Sequence, residues 1–298
     1  MRDCIIVGGG PAGLSAALIL GRCRRDVVIY DAGRPRNAGT PCTWGLFTRD
    51  GVSPADLRDL GASDLARYPT VERRAAAVLE ALRDPDGFSI VAADGTRERA
   101  RRLILATGLI QELPRIPGFA EHWGTGVHSC AYCDGYEVRD RPLVAYGRGH
   151  GGYGLALELT GWSRDVTLCT DGEAGLTEKD RARLARNGVR IVETPVTRLH
   201  GDGARLDRLG FGDGSEIACA AVFVMPDSCR PSPLVAQLGC ELTDRGVVPT
   251  GDYETTNVPG LHVAGDASRR VQFAVVAAAE GAMAAFAINT GLLAEDTR

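Results

Sequence analysis

Apolar residues come in short runs along this chain, and the runs alternate with stretches of helical character. Cys4-Ile5-Ile6-Val7 is a continuous apolar run that stops on glycine, the pattern of a strand buried on both faces. A helix is predicted from about Ala12 to Gly21, and Val27 to Tyr30 is a second strand ending on Asp31. Residues 33–50, rich in Gly, Pro, Arg and Asn, read as an irregular loop. Ser53-Pro54 then opens a helix as cap and first-turn proline, with Leu57, Leu60, Leu65 and Tyr68 expected on one face. Residues 78–105 read as a small antiparallel set broken by turns at 84–87 and at Asp94-Gly95, although the Ala-rich stretch 75–82 reads equally as helix. Leu103-Ile104-Leu105 runs as a buried strand into Ala106-Thr107-Gly108.

The second half repeats the opening. A strand at Leu143–Tyr146 is followed by a glycine turn, a helix carrying Leu155, Leu159 and Trp162, and a strand from Val166 to Asp171. A helix from Glu178 to Asn187 stops at Gly188, and Val222 to Pro226 forms a later strand. The last helix, from Gln272 to about Thr290, is Ala-rich and nearly apolar, as expected of one buried against a sheet. Strands alternating with helices, twice over, predict an α/β chain with two similar folds.

A length of 298 residues suits about two domains. The net charge of -4 gives no basic stripe, so no nucleic acid partner is expected. No apolar run approaches the roughly 18 residues of a membrane span. The first strand begins at Cys4, which leaves no room for a signal peptide. A cytoplasmic protein without a membrane partner is expected, and there a Cys-x-x-Cys is more often catalytic than structural. The cysteines number 9, an odd count, so at least one is free, and most of the single ones sit among apolar neighbours.

The glycine turns carry the first chemistry. Gly8-Gly9-Gly10-Pro11-Ala12-Gly13 is a G-x-G-x-x-G fingerprint between strand and helix. Gly8 permits the tight turn, Gly10 lets a pyrophosphate approach the backbone, and Gly13 lets helix and strand pack closely. Asp31 lies about twenty residues on, where a ribose hydroxyl would be gripped. Arg36 and Asn37 follow it and are candidates for the adenosine end of a dinucleotide, or simply solvated loop residues. A second fingerprint stands at Gly147-Arg148-Gly149-His150-Gly151-Gly152.

Between the fingerprints lies Cys130-Ala131-Tyr132-Cys133-Asp134-Gly135. A Cys-x-x-Cys is a redox pair, half of a zinc site, or two unrelated core cysteines. Zinc wants a second close pair of ligands, and the remaining cysteines are scattered singly, so no metal is expected. Asp134 follows at once and could move protons to or from a thiolate. His128, two residues before Cys130, shares a face with it on an extended segment and could accept a substrate proton.

Taken in order over nearly the whole chain, these motifs and a late Gly265-Asp266 resemble the low-molecular-weight thioredoxin reductase family. The resemblance implies two Rossmann-like doubly wound nucleotide-binding domains, the second inserted into the first. Residues 1–116 and 246–298 would bind FAD, and 117–245 would form a pyridine-nucleotide-type domain carrying the cysteine pair, in a homodimer. It implies that Cys133 faces the flavin, that Cys130 meets the substrate and that Asp134 is the acid–base residue. Ala106-Thr107-Gly108 belongs to the FAD domain, Asp266 would bond the ribityl chain, and the amides of Gln272, Phe273 and Ala274 would face the flavin pyrimidine.

One strand departs from the family. NADPH-using members end the strand at 166–171 in a His-Arg-Arg cluster that clamps the 2′-phosphate, whereas this chain has Thr170, Asp171 and Gly172. A carboxylate repels a phosphate. Asp171 suits an unphosphorylated ribose or a vestigial site, and Arg148 and Arg164 are the nearby cations in sequence. Val224-Met225-Pro226 also stands where a typical reductase has Ile-Gly. These departures make NAD(P)H doubtful and resemble the gliotoxin- and holomycin-type thiol oxidases, which implies a small-molecule dithiol substrate and oxygen as acceptor. The alternatives are a reductase of a thioredoxin-like protein using NAD(P)H, and a non-catalytic redox sensor. Trp44 and Phe47, in the loop 40–47, are expected near the flavin as walls of a substrate pocket, or as aromatics packing that loop.

Overall fold

The computed structural model describes residues 1–298 except 204, 225–228, 245 and 270. Two compact units emerge, the first made of Met1–Ala38, Gly45–Gln111 and Cys229–Arg298, the second of Gly39–Trp44 and Glu112–Ser228. In the first unit, β1 (Arg2–Val7) leads to α1 (Pro11–Arg22) and β2 (Val27–Tyr30). Cys4, Ile5, Ile6 and all of β2 are buried, which is why these short runs hold as central strands. α2 (Pro54–Leu65) starts where Ser53 accepts the Asp56 amide at 3.0 Å. Leu65 is buried as expected, but Leu60 is 46% exposed, so the apolar face of α2 is narrower than its spacing suggested.

β3 (Val71–Arg74) pairs parallel with β2 at the sheet edge. Its Val-Glu-Arg-Arg sequence carries one apolar residue, too little to predict a strand. β4 (Val78–Asp84), β5 (Gly87–Ala92) and β6 (Arg97–Leu105) form the expected antiparallel set, so residues 78–82 are strand and not helix. β6 also pairs parallel with β1, giving the order β3-β2-β1-β6-β5-β4, and β7 (Leu109–Gln111) follows.

The second unit runs from β8 (Val127–His128) and the single turn α3 (Ala131–Asp134) through β9 (Leu143–Tyr146), α4 (Gly149–Leu159) and β10 (Val166–Cys169). α5 (Glu178–Arg186) is held by a capping box between Thr177 and Asp180 and ends before Gly188, at φ +75. β11 (Arg190–Val192) then precedes an antiparallel sheet of β12 (Val196–Asp202), β13 (Arg205–Phe211) and β14 (Glu216–Ala218). β15 (Ala221–Val224) completes the parallel order β11-β10-β9-β15-β8. Met225 and Pro226, singled out in the sequence, lie outside the described residues.

The chain rejoins the first unit earlier than expected. β16 (Cys229–Pro231) pairs antiparallel with β7, and α6 (Pro233–Gln237) brings Leu234, Val235 and Leu238 into the core around Phe88 and Ile90. The first unit therefore ends at Gln111 and resumes at Cys229, in place of the expected boundaries at 116 and 246. Apolar packing of a short helix decides this, and nothing in its local sequence says which core it joins. β17 (Leu261–Val263) then adds to β6, and α7 (Ala274–Asp296) closes the chain. α7 has an 18-residue window of mean hydropathy 1.4, enough by length and composition to cross a membrane although its apolar residues form no single unbroken run. Ala277, Ala284, Ala285, Ile288 and Leu292 of α7 are instead buried in one cluster with Ala12, Ala16, Ala17 and Leu20 of α1. Small side chains allow this closeness: a Cβ on Gly281 would stand 1.9 Å from the Ala12 carbonyl oxygen.

Candidate active site

The first fingerprint has the shape of a phosphate cradle. Gly8 has φ +115, and a Cβ there would stand 2.1 Å from the Ala106 carbonyl oxygen. A Cβ on Gly13 would lie 1.8 Å from the Gly8 oxygen, yet one on Gly10 would meet nothing within 4 Å. Packing thus demands glycine at the first two, while Gly10 opens on space at the start of α1. Pro11 begins that helix, Ala12 is buried beneath it, and no acid in its first turn competes for its amides. The Ala106 amide donates to Val7 O at 2.8 Å and Gly108 sits at φ +61, which fixes Thr107 between them.

Asp31 accepts the Gly33 amide through Oδ1 at 2.9 Å, and its Oδ2 lies 4.0 Å from Arg58 Nη1. A cleft of about 390 Å³ opens here, lined by Gly9, Asp31, Ala32, Gly33, Arg58 and Arg74 among others. Arg58 was not anticipated, because it lies on α2, far from the fingerprint in sequence. Arg36 is not at this end. Its Nη2 pairs with Asp266 Oδ2 at 2.8 Å, because the chain turns back after Asp31, and Asn37 lies exposed in that same turn. Arg36 Nη1, Arg58 Nε and Thr107 Oγ1 are buried with no hydrogen-bond partner. An unmet buried donor costs about 1–3 kcal/mol, so three of them, two on expected cofactor residues and one on Arg58 beside Asp31, mark a place suited to a polar ligand. FAD fits: Gly10 and α1 would take its pyrophosphate, Asp31 its ribose, and Asp266 its ribityl hydroxyls.

The Gly265-Asp266 turn is held from behind. Gly265, at φ +88, donates its amide to Glu280 Oε2 at 2.6 Å, and Arg269 Nε donates to Glu280 Oε1 at 2.7 Å. Arg269 Nη2 also donates to both oxygens of buried Glu254, at 2.8 and 2.9 Å. Burial pushes the Glu280 carboxyl up, against the pull of the Gly265 amide and Arg269. A lone acid inside the Ala-rich run of α7 was the signal for this network. Phe273 is the N-cap of α7 and Ala274 its first residue, with Gln272 just before, so this helix start has amides to offer a ligand.

Cys130 and Cys133 form a disulfide, with Cα atoms 5.3 Å apart. Cys130 caps α3, and the Cys133 amide donates to its Sγ at 3.1 Å. Once the bond opens, that amide favours a thiolate on Cys130. His128 lies buried on β8 with its ring 5.4 Å from that of Phe223, and its Nδ1 faces Asp134 Oδ2 at 3.5 Å. His128 Nε2 is buried and has no partner. The pair at Cys130 and Cys133 is thus flanked by a histidine–carboxylate couple that can hold a proton. Tyr132, between the thiols, is 68% exposed, with its ring edge-on to Trp162 at 5.4 Å.

The other thiols differ. Burial pushes Cys4, Cys169 and Cys219 up, Cys169 to about 12, so they pack as small apolar side chains. Among the described residues no group of three or more His, Cys, Asp or Glu is placed to hold a metal ion. The loop 40–47 divides: Gly39–Trp44 belongs to the second unit and Phe47, 85% exposed, to the first, so Trp44 and Phe47 build no common wall within either unit.

At the end of β10 the expected cations are absent from the strand itself. Arg148 reaches it, but donates from Nε to Thr170 O at 2.6 Å and from Nη2 to Asp171 O.

A model of the pyridine nucleotide-disulphide oxidoreductase family matches residues 2–281. Thioredoxin reductase tcpT of Claviceps purpurea is 31% identical across 98% of this chain and 95% of its own. Among solved structures, HlmI has a TM-score of 0.94 at 37% identity, covering 99% of this chain and 94% of that one. A putative thioredoxin reductase TrxB from Bacillus anthracis has a TM-score of 0.93 at 32% identity, covering 99% and 100%. The chain belongs to the pyridine nucleotide-disulphide oxidoreductase family and is a thioredoxin reductase-like, FAD-dependent thiol-disulfide oxidoreductase.

Proposed function

We propose that this protein is a dithiol oxidase that closes a disulfide in a small-molecule dithiol, acting as a cytoplasmic homodimer. The observation that carries the reading is the end of β10, where Thr170, Asp171 and Gly172 offer a 2′-phosphate no cation and Arg148 is spent on backbone carbonyls. Electrons from NADPH would have no well-made entry, so the thiol substrate becomes their source. The likeness to HlmI and to the fungal relative supports the same branch. Exposed Val275, Met283, Phe286 and Leu293 on α7 support a partner subunit.

One substrate thiolate attacks Cys130 Sγ and breaks its bond to Cys133, which leaves as a thiolate. The second substrate thiolate attacks the resulting mixed disulfide, so the product departs with a new S–S bond and Cys130 departs as a thiolate. Two electrons now rest on the cysteine pair. His128 and Asp134 take the protons that the substrate thiols release, through the unpartnered His128 Nε2 and the carboxylate that orients the ring. The Cys133 amide holds the Cys130 thiolate during this step. FAD, which Gly10, Asp31 and Asp266 would hold, would supply the two-electron acceptor needed when Cys130 and Cys133 close again, with oxygen and the two substrate protons ending as hydrogen peroxide.

The second reading is a reductase of a thioredoxin-like protein, favoured by the intact spacing of Gly147, Gly149 and Gly152. Anaerobic mixing separates the two. A dithiol should bleach the flavin, and admitted oxygen should restore its colour with peroxide formed. Rapid, saturable bleaching by micromolar NADPH would give the protein to the reductases.

A further inference from the structure

A pyridine nucleotide does not fit the second nucleotide-binding fold, and the misfit has a specific cause. We infer that this fold is latched by its own side chains, with Arg148 as the latch, and that Arg148 bars even an unphosphorylated dinucleotide.

Arg148 is the second residue of the fingerprint and the N-cap of α4. Its guanidinium lies across the end of β10, bonded to the carbonyls of Thr170 and Asp171, and its Nη2 is 3.1 Å from where a Cβ on Gly172 would stand. Asp171, the residue placed to grip a ribose, is taken as well. Its Oδ1 accepts the Val196 amide at 2.9 Å, and the carboxylate lies near the Tyr146 phenol, which burial first and then that carboxylate push up. The helix start is taken too: the Gly149 amide donates to Ala174 O at 2.9 Å. Ala174 is held in turn, its amide donating to Glu193 Oε1 at 2.8 Å, and Arg181 pairs with the same oxygen at 2.7 Å. A ribose needs the carboxylate and a pyrophosphate needs the amide, and each already has an internal partner.

The inference extends the oxidase reading but fails separately from it. Holoenzyme, Arg148→Ala and Tyr146→Phe are titrated with NADH and NADPH, following quenching of the nicotinamide fluorescence. The holoenzyme should bind both only weakly. Arg148→Ala should tighten NADH about tenfold, the worth of one charge-assisted bond, and leave NADPH weak because Asp171 still opposes its phosphate. Tyr146→Phe, which takes the phenol hydroxyl away from Asp171 without touching Arg148, should act in the same direction by about threefold, a smaller step than the loss of the Arg148 bonds. The Arg148 side chain is 58% exposed, so Arg148→Ala should keep its flavin and its dithiol turnover. NADH binding unchanged in both variants overturns the latch alone. NADPH binding that weakens in Arg148→Ala makes Arg148 a phosphate ligand and also overturns it. Tight NADPH binding by the unaltered holoenzyme overturns latch and oxidase together.

Discussion

At Gly8–Gly13 and again at Gly147–Gly152 the chain builds a strand, a glycine turn and a helix, and although Asp31 and Asp171 each accept a backbone amide, the two copies treat their donors differently. Around the first, Arg36 Nη1, Arg58 Nε and Thr107 Oγ1 are buried without partners, and a cleft of about 390 Å³ lined by Arg58 opens at Asp31. Around the second, Arg148, Asp171 and the Gly149 amide are bonded to the chain itself. A fingerprint shows that a backbone can receive a phosphate. Whether it does is set by the side chains at its variable positions and around it, which either leave the donors open to a ligand or consume them. The first copy keeps buried donors that a polar ligand can meet, and the second bonds its own.

If the first copy holds the flavin by itself, removing a thiol should abolish turnover and leave the flavin in place. Cys130→Ser and Cys133→Ser should each lose all dithiol oxidation while the purified protein stays yellow. Cys130→Ser should also show a long-wavelength charge-transfer band from a Cys133 thiolate, absent in Cys133→Ser. A band in the opposite variant reverses the two roles, and full activity in either removes the disulfide from the mechanism.

The next effect tests the open space at Gly10. A methyl there meets no protein atom, so Gly10→Ala should fold, by circular dichroism, and yet bind FAD about two orders of magnitude more weakly. That loss corresponds to two phosphate bonds at about 1.5–3 kcal/mol each. Unchanged FAD affinity would mean that the pyrophosphate lies elsewhere.

Local signals carried well from sequence to structure, and distant ones did not. The strand at Cys4–Val7, the Ser53 cap and the Gly188 stop all rest on neighbours within a few residues, and each stands where its pattern put it. β3 carried too little apolar signal to be seen. Arg36 was misplaced because its partner, Asp266, is 230 residues away. Arg148 showed a cation near the nucleotide fold, but a cation that receives a phosphate and one that blocks it look alike in sequence. The crossing at Cys229 was hidden because α6 packs on a core assembled from strands far earlier in the chain.

Arg36→Gln sharpens the first side of the comparison by a smaller step. It removes the charge but keeps a planar donor, so FAD should bind about tenfold more weakly, the loss of one charge-assisted bond. Fluorescence of released flavin measures it. Riboflavin, which has no phosphate, should lose less than FAD if the unpartnered Nη1 meets the pyrophosphate. Equal losses would place Arg36 on the ribityl chain beside Asp266.

The smallest effect belongs to the second copy, and its smallness is the point. Gly149 matches Gly10 in the fingerprint and also has no atom within 4 Å of an added Cβ. It sits at φ +53, where a side chain costs about 1–2 kcal/mol, so Gly149→Ala should lower the melting temperature by only about 2–4 °C. The Gly149 amide keeps its bond to Ala174, and no ligand is displaced, so flavin content and dithiol turnover should match the parent protein. The same substitution at two equivalent glycines would then cost a cofactor in one copy and a few degrees in the other. If Gly149→Ala instead slowed turnover in proportion to a lost nucleotide, the second fold would be a working site, and the contrast between the copies would collapse.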